Sequence, residues 1–580
     1  MNTKPSLVAA VSAVLVLLFA GSATAQTATN KKAIINKTRD LINKLPPQQQ
    51  KLLSSGARRI LQVAQILNDD HSKMGDAGTI TISPKVAGLA AAIAPLAPIP
   101  GPGPGGTTRV SDPRLDFVNS VMTSFTQSET SSAWCGNTVV AGYNDSGAFA
   151  RTAGVNFDAP WSFSSASYSS DGGRTFVDIG VMNPGTNPIN FIAGDPVVAC
   201  TSPTQFYYSS IFASGVDSNG NFFNGVALNI SNDGGRTWSD PVAAVAKDFS
   251  HGIDKPWLAA DPTNANRLYV TYTDFDFSGF SGLPGARCPN DIRIAIELVS
   301  SADGGATWGA PVVVHDECVF ATGNSVQGSN PVVAPDGTVY VGYEFYPAAV
   351  PNNEIHLAKS TDHGQTFAAP VKVSDVLPNG NFGLLQGSFR NNEFPQVAID
   401  RSRGSSRGTI YVTWSDGIDN VVQDLPIFFG TYAYPDVMVA KSVDGGQTFT
   451  VPQAVSPQPS SFTGRGRDQF FPGLAVDRRG AVGVCYYDRR QDPQNTVIDR
   501  YCSVSQNHGV SWQEHRVSAA NWIPAHASDG VINLFYIGDY DALTNDFLLQ
   551  HGGFFGAFEV QTNGNPDVVA ARLGHEEEEE

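Results

Sequence analysis

The sequence predicts an all-β protein built by repetition. Three observations carry that reading. One eight-residue pattern recurs six times, a longer strand-rich unit recurs around it, and the composition is rich in glycine and poor in charge. Only 16% of the 580 residues are charged and 57 are glycine, which suits many tight turns.

The six copies are Ser169–Phe176, Ser231–Trp238, Ser301–Trp308, Ser360–Phe367, Ser442–Phe449 and Ser505–Trp512. They follow the template S-x-[DN]-[GH]-G-x-[TS]-[FW], with Asp171, Asp233, Asp303, Asp362, Asp444 and Asn507 at the third position. An acid or amide there accepts hydrogen bonds from the N–H groups of its own turn. The glycine supplies a positive φ, and the Thr or Ser hydroxyl closes the turn from the far side. The final aromatic ring anchors the turn to a core. Alternating apolar residues lead into most copies, as in Val437–Ser442 and Ile355–Ser360. Each copy therefore reads as strand, turn, strand.

These copies resemble the Asp-boxes, or BNR repeats, of sialidases and related β-propellers, over roughly residues 117–573. The resemblance implies a propeller in which each box is a structural brace on the rim, between the third and fourth strands of a blade. The chain is similar in particular to exported bacterial BNR-repeat proteins. That likeness rests on Asp254–Leu258, Phe470–Asp477, Tyr487–Asp492 and Gly538–Tyr540.

The longer unit sets the blade count. Its first strand opens on a polar residue, as in Asp195-Pro-Val-Val-Ala, Asp254-Lys-Pro-Trp-Leu-Ala, Asn330-Pro-Val-Val-Ala, Glu393-Phe-Pro-Gln-Val-Ala and Gln469-Phe-Phe-Pro-Gly-Leu-Ala. Its second strand ends in an aromatic followed by an acid, as at Tyr272-Thr-Asp274, Tyr343-Glu344, Trp414-Ser-Asp416 and Tyr487-Asp488. A seventh unit, opening at Gly538-Asp-Tyr-Asp and continuing in Asp567–Leu573, has no box. Its fourth strand is expected from the segment near Leu115–Phe125, which would close the ring. The prediction is a seven-bladed β-propeller, with six blades as the alternative and a small N-terminal helical segment.

Residues 1–25 read as a secretory signal: Lys4, an apolar run over Leu7–Ala20, and Ala23-Thr-Ala25 before Gln26. Residues 26–74 read as a helical hairpin interrupted at Pro46-Pro47, and 75–112 as a Gly/Pro/Ala-rich linker. The propeller is expected over 113–574. Residues 575–580, His575 and five glutamates, are a natural solvated tail or a scar of expression. The expected location is outside the cytoplasm.

The formal net charge of −17 carries no basic stripe, which argues against nucleic acid and anionic membranes as partners. No segment after the signal is long and apolar enough to span a bilayer. Six cysteines in an exported chain suit three disulfides, with fifteen pairings open. Placement favours Cys485–Cys502 on successive strands, Cys288–Cys318 within a blade and Cys135–Cys200 between neighbouring blades. No C-x-x-C or H-E-x-x-H pattern marks a zinc site. The acidic Asp274-Phe-Asp276 lacks the spacing of a dedicated calcium loop. No cofactor is expected, and the sequence leaves bound metal open.

Strand polarity locates a candidate site. The start of strand one and the end of strand two share an end of the propeller, and the boxes mark the opposite end. The first end collects Asp145, Asp195, Asp254, Asp274, Glu344, Glu393, Asp416, Asp468, Asp488 and Asp539, with Lys255, Arg390, Arg465, Arg467, Arg489, Arg490 and Tyr540. Polar groups converging on a propeller's axis make the default ligand site. The plainer alternative is a ring of solvated acids and loop-bracing ion pairs.

The sialidase resemblance implies arginines that hold a substrate carboxylate, a Tyr–Glu nucleophile pair and an acid/base Asp. The early Arg-Ile-Pro motif of that family has no counterpart here. That absence supports a non-catalytic propeller; the polar ring opposite the boxes points instead to a glycosidase acting on terminal acidic sugars of extracellular glycan or polysaccharide. Asp254, Glu393, Asp468 and Asp488 are the acid/base candidates and Tyr540 the nucleophile. Lys255, Arg467, Arg489 and Arg490 would hold the anionic sugar. The alternatives are a non-catalytic glycan- or protein-binding propeller, and a polysaccharide lyase with His251 as base.

Overall fold

In the computed structural model the chain folds as a seven-bladed β-propeller. The structure describes Ile99 and residues 107–574, except 117–125, 153–158, 188–189, 216–221, 249, 281–285, 381–383, 388, 418–420, 424–430, 457–466, 519–536 and 563–564. The expected signal segment, helical hairpin and acidic tail lie outside the described residues, as does most of the expected linker.

Blade 1 comprises Gln127–Cys135, Thr138–Asp145, Ser164–Ser169 and Val177–Asp178. Blade 2 comprises Phe191–Cys200, Phe206–Gly215, Phe222–Ser231 and Val242–Lys247. Blade 3 comprises His251–Ala260, Leu268–Asp276, Arg293–Ser301 and Val312–Cys318. Blade 4 comprises Ser325–Val333, Val339–Tyr346, Asn353–Ser360 and Val371–Val376. Blade 5 comprises Gln396–Ile399, Ile410–Asp416, Asp436–Ser442 and Gln453–Ala454. Blade 6 comprises Gln469–Val476, Val482–Asp488, Asp499–Ser505 and Gln513–Arg516.

Blade 7 is assembled from both ends of the described chain. Leu543–Thr544, Phe554–Thr562 and Asn565–Leu573 supply three strands. The fourth is Thr108–Arg109, which pairs antiparallel with Ala570 and Val569. This corrects the expectation that Leu115–Phe125 closes the ring: Pro113–Asp116 is a short 3-10 turn. It also moves residues 107–112 out of the linker, since Val110 donates to the Val568 carbonyl and is fully buried.

The six repeated turns each join the third and fourth strands of blades 1 to 6. In blade 3, Asp303 Oδ1 accepts from the Thr307 N–H at 2.9 Å and the Ser301 hydroxyl at 2.8 Å, while Thr307 Oγ1 donates to Oδ2 at 2.5 Å. Asn507 manages the same turn with its amide, accepting from Ser511 N and donating to Ser511 Oγ. The second glycine has two reasons to be glycine. Gly305 has φ +86°, and a Cβ there would sit 2.4 Å from Leu228 of blade 2. Gly235 repeats this against Val140 of blade 1, at 2.6 Å. Each such turn therefore leans on the blade before it.

Between blades the core is apolar. Val226, Leu228, Leu258 and Val270 pack blade 2 on blade 3, and Leu357, Val397, Val412 and Trp414 pack blade 4 on blade 5. Fully burying each such side chain contributes about 1.5–3 kcal/mol. Three disulfides reinforce this: Cys135–Cys200 links blades 1 and 2, Cys288–Cys318 lies within blade 3, and Cys485–Cys502 joins adjacent strands of blade 6. Among the described residues no helix is long and apolar enough to cross a membrane.

Candidate functional site

The registers give the blades a common polar end. Gln127 faces Asp145, His251 faces Asp276, Ser325 faces Tyr346 and Gln469 faces Asp488. Close to this end, five innermost strands carry the same irregularity. Register shifts fall between Ser128 and Ser131, Gly194 and Val197, Asp254 and Trp257, Gln327 and Asn330, and Phe470 and Gly473. Inside each bulge one residue takes a positive φ: Glu129 at 52°, Asp195 at 53°, Lys255 at 50°, Gly328 at 70° and Phe471 at 49°. Four of these five are not glycine, so the surrounding packing holds a strained backbone in place. A bulge re-aims the side chain it contains.

The re-aimed side chains of blades 1, 2 and 3 meet. Lys255 Nζ lies 3.1 Å from Glu129 Oε1, 3.0 Å from Asp195 Oδ2 and 2.5 Å from Asp539 Oδ2. All four side chains are buried. Asn144 donates to Glu129 and accepts from the Asp195 N–H. Arg390 reaches Asp539 at 3.0 Å, and Lys255 lies over the Tyr540 ring. Burial and the nearby charges of Asp195 and Asp539 push the Glu129 carboxyl up to about 7, against the pull of Lys255.

The segment carrying Arg390 leads to a second cluster. Asn392 Nδ2 donates to the Asp539 carbonyl at 2.9 Å, and one residue on stands Glu393. Glu393 stands within electrostatic reach of Glu344, at the end of the second strand of blade 4. Both are buried. Tyr346 Oη donates to Glu344 Oε2 at 2.8 Å, Asn353 Nδ2 donates to Oε1 at 2.8 Å, and the Asn379 N–H donates to Glu393 Oε1 at 2.7 Å. Burial pushes Glu344 up to about 7. Burial and the charge of Glu344 push Glu393 well above the usual carboxylate range. Each carboxyl is thereby favoured in its protonated form.

The remaining expected residues find partners elsewhere at this end. Asp468 and Arg489 form a buried ion pair at 3.0 Å, with Tyr432 donating to Asp468 at 2.9 Å and Arg489 lying over the Phe389 and Phe470 rings. Burial raises Asp468 to about 6 even beside Arg489. Arg490 bridges Asp488 and Glu514 and stacks on Tyr501, and Gln469 donates to Asp488. Asp254 accepts from Gln327 Nε2 at 3.0 Å. Tyr540 donates to the Pro196 carbonyl at 3.3 Å and packs edge-on against Trp257. Arg467 is half-buried next to Asp468, and Arg465 lies outside the described residues. Asp145 pairs with Arg151, and Asp416 accepts from Trp414 Nε1.

Arg390, Arg489 and Arg490 thus answer carboxylates of the protein itself and do not converge on one empty position. His251 Nδ1 sits 2.9 Å from Asp274, within a network holding Lys247, Arg293 and Glu297. Burial works to lower the His251 pKa, but the hydrogen bond to Asp274 outweighs it and raises it, which makes a poor resting base. Among the described residues no group of three or more His, Cys, Asp or Glu is arranged to hold a metal ion.

Sequence reasoning placed Glu344, Glu393, Asp195 and Asp539 at this end but passed over Glu129, Tyr346 and Asn353. Tyr346 lies two residues past the aromatic–acid pair at Tyr343-Glu344, a spacing that returns it to the same face of the strand as Glu344.

No family model and no curated protein matches the chain. Solved structures resemble it at low identity. A Hadza microbial sialidase matches at TM-score 0.38 and 15% identity, covering 70% of this chain and 73% of its own. An α-L-arabinofuranosidase of Fusarium graminearum, solved with arabinobiose, matches at TM-score 0.40 and 14% identity, covering 71% and 97%. An ulvan lyase matches at TM-score 0.37 and 11% identity, covering 67% and 83%.

Proposed function

We propose that this chain is an extracytoplasmic, carbohydrate-active propeller that hydrolyses glycosidic bonds at its acid-lined axial end. The observation that supports it is the Tyr346–Glu344–Glu393 cluster. Perturbed carboxyls gathered at a propeller axis are functional-site candidates on physical grounds. Tyr346 donates to Glu344 at 2.8 Å, and that pairing favours the tyrosine-nucleophile variant over a two-carboxylate mechanism. In it Tyr346 attacks the anomeric carbon and passes its proton to Glu344, while Glu393 protonates the departing oxygen. Tyr346 and Glu344 replace Tyr540 and Asp488 as the leading candidates.

The substrate reading shifts as well. With Arg489 and Arg490 bound to Asp468 and Asp488, recognition of a sugar carboxylate by arginines loses its support. A neutral terminal sugar suits the cluster better. Three disulfides fit an oxidising compartment outside the cytoplasm.

The second reading is a non-catalytic saccharide-binding propeller. It is favoured by the resting state of Glu344, which is fully buried with both oxygens already accepting. A panel of neutral aryl glycosides, a fluorogenic sialoside and an acidic polysaccharide separates the readings. The hydrolytic reading expects turnover of a neutral glycoside, with Tyr346→Phe and Glu344→Gln each losing at least a hundredfold in kcat. No turnover on any substrate, with retained binding to a glycan array, establishes the binding reading instead. An absorbance rise from unsaturated uronate on the polysaccharide establishes a lyase.

A further inference from the structure

The end of the propeller that carries the repeated turns has an opening of its own. A cavity of about 850 Å³ lies there, and Arg401, Arg403, Arg407 and Arg478 line it with Phe547 and Leu549. Three of these arginines stand in the turn between Gln396–Ile399 and Ile410–Asp416 of blade 5. Arg478 stands in the equivalent turn of blade 6. The matching turns of blades 1, 2 and 4, at residues 136–137, 201–205 and 334–338, contain no arginine or lysine. In a chain of net charge −17 this is a local reversal of sign.

Unlike the arginines of the acid-lined end, three of these have no carboxylate to answer. Among the described residues, none lies within salt-bridge distance of Arg401, Arg403 or Arg407. Arg401 stacks over Phe547 at 4.6 Å, and Arg407 donates to the backbone carbonyls of Arg401 and Ser402. Asp400, at the start of the same turn, is fully buried, accepts from the Ser402 N–H and forms no ion pair among the described residues, and two other nearby acids are already engaged. Asp546 accepts from the N–H groups of Gly136, Leu548, Gln550 and His551. Asp261 pairs with Arg267.

Arg401 also borders a narrower cavity of about 200 Å³ along the axis, walled by Trp134, Val198, Leu258, Val333 and Val476. It therefore sits where the wide arginine-lined opening meets the apolar channel. Loss of solvent lowers its pKa to about 10, with Asp546 opposing and Arg407 assisting. It still carries its charge at neutral pH. Arg401 is half-buried with only the distant pull of Asp546 to offset its lost solvent, and an anion that joins it gains charge-assisted hydrogen bonds.

We propose that this opening binds a tetrahedral oxyanion, sulfate or phosphate, either free or as an ester on a small saccharide. Planar guanidinium forks match two oxygens of such a group at once, which chloride does not offer. The site stands apart from the acid-lined end and does not depend on the hydrolytic reading.

Isothermal titration of the full chain tests it, using sodium sulfate, potassium phosphate, a sulfated disaccharide and its unsulfated counterpart at ionic strength fixed with sodium chloride. Saturable one-site binding of sulfate or phosphate is expected, with Arg401→Gln and Arg403→Gln each weakening it at least tenfold. Arg403 is exposed and makes no described bond, so that variant keeps the fold even if Arg401→Gln does not. Tighter binding of the sulfated disaccharide than of sulfate identifies an ester on a saccharide as the ligand; equal or weaker binding identifies the free ion. No saturable heat with any anion, or affinities unchanged in Arg403→Gln, overturns the proposal.

Discussion

Lys255 and Asp539 form an ion pair at 2.5 Å across the propeller axis, joining the innermost strand of blade 3 to the segment that opens blade 7. Glu129 and Asp195 flank the same ammonium from blades 1 and 2. One cation therefore ties four blades at the seam where the ring begins and ends.

Removing that cation takes the ammonium from three buried carboxylates, of which Asp539 keeps Arg390. Lys255→Met is expected to lower stability by about 3–5 kcal/mol, the cost of breaking a buried pair from one side. Urea unfolding followed by tryptophan fluorescence measures it. A loss below ~1 kcal/mol would mean that water reaches the cluster and the ammonium is dispensable.

The raised carboxyls set a pH dependence of definite sign. Glu129 and Glu344 titrate near 7 when folded and near 4.5 when unfolded. Below 4.5 both states are protonated. Between 4.5 and 7 the unfolded chain loses protons that the folded chain keeps. Stability therefore falls as pH rises through this window, by about 1.4 kcal/mol per pH unit for each carboxyl. Glu344→Gln is expected to flatten the decline. Identical slopes for wild type and variant, in unfolding measured from pH 4 to 8, would contradict the assignment.

The repeated turns are expected to tolerate an amide and not a methyl. Asn507 already performs the role in blade 6. Asp444→Asn should therefore leave the melting temperature nearly unchanged, and Asp444→Ala should lower it. Equal melting temperatures for the two variants would show that the bonds to Asp444 Oδ1 and Oδ2 are not stabilising. Asp233 shows the pH limit of this support: burial opposes, but the Thr237 and Ser231 bonds depress its pKa, so the support is lost only below the usual carboxylate range.

The disulfides should rank by the chain they enclose. Cys135–Cys200 spans 65 residues and Cys485–Cys502 spans 17. On the loop-entropy account, losing the first costs about 4 kcal/mol and the second about 3. Paired serine variants compared by urea midpoint test that order. A reversed order would place the effect in the folded state instead.

Much of the fold was legible because repetition is a sequence property. The six copies, the alternating strands and the boxless seventh unit all point to a ring. Thr108–Arg109 was not legible, because two residues carry no periodicity and their partner lies at the far end of the chain. The bulges at Glu129, Asp195 and Lys255 were hidden too, since a positive φ at a non-glycine residue is imposed by tertiary packing. The acids at the axial end were readable from strand polarity. Their partners were not: whether Arg489 faces a substrate or Asp468 depends on where neighbouring blades place their side chains.

The closing strand also orders events in time. Thr108–Arg109 leaves the ribosome early, and Val569–Ala570, which it must clasp, leaves only after the six other blades. Until then Thr108–Arg109 has no strand to pair with, and blade 1 has no neighbour on its open side. A chain cut short before blade 7 would keep that raw seam and offer it to another unfinished chain, so premature termination should yield sticky open rings and not smaller propellers.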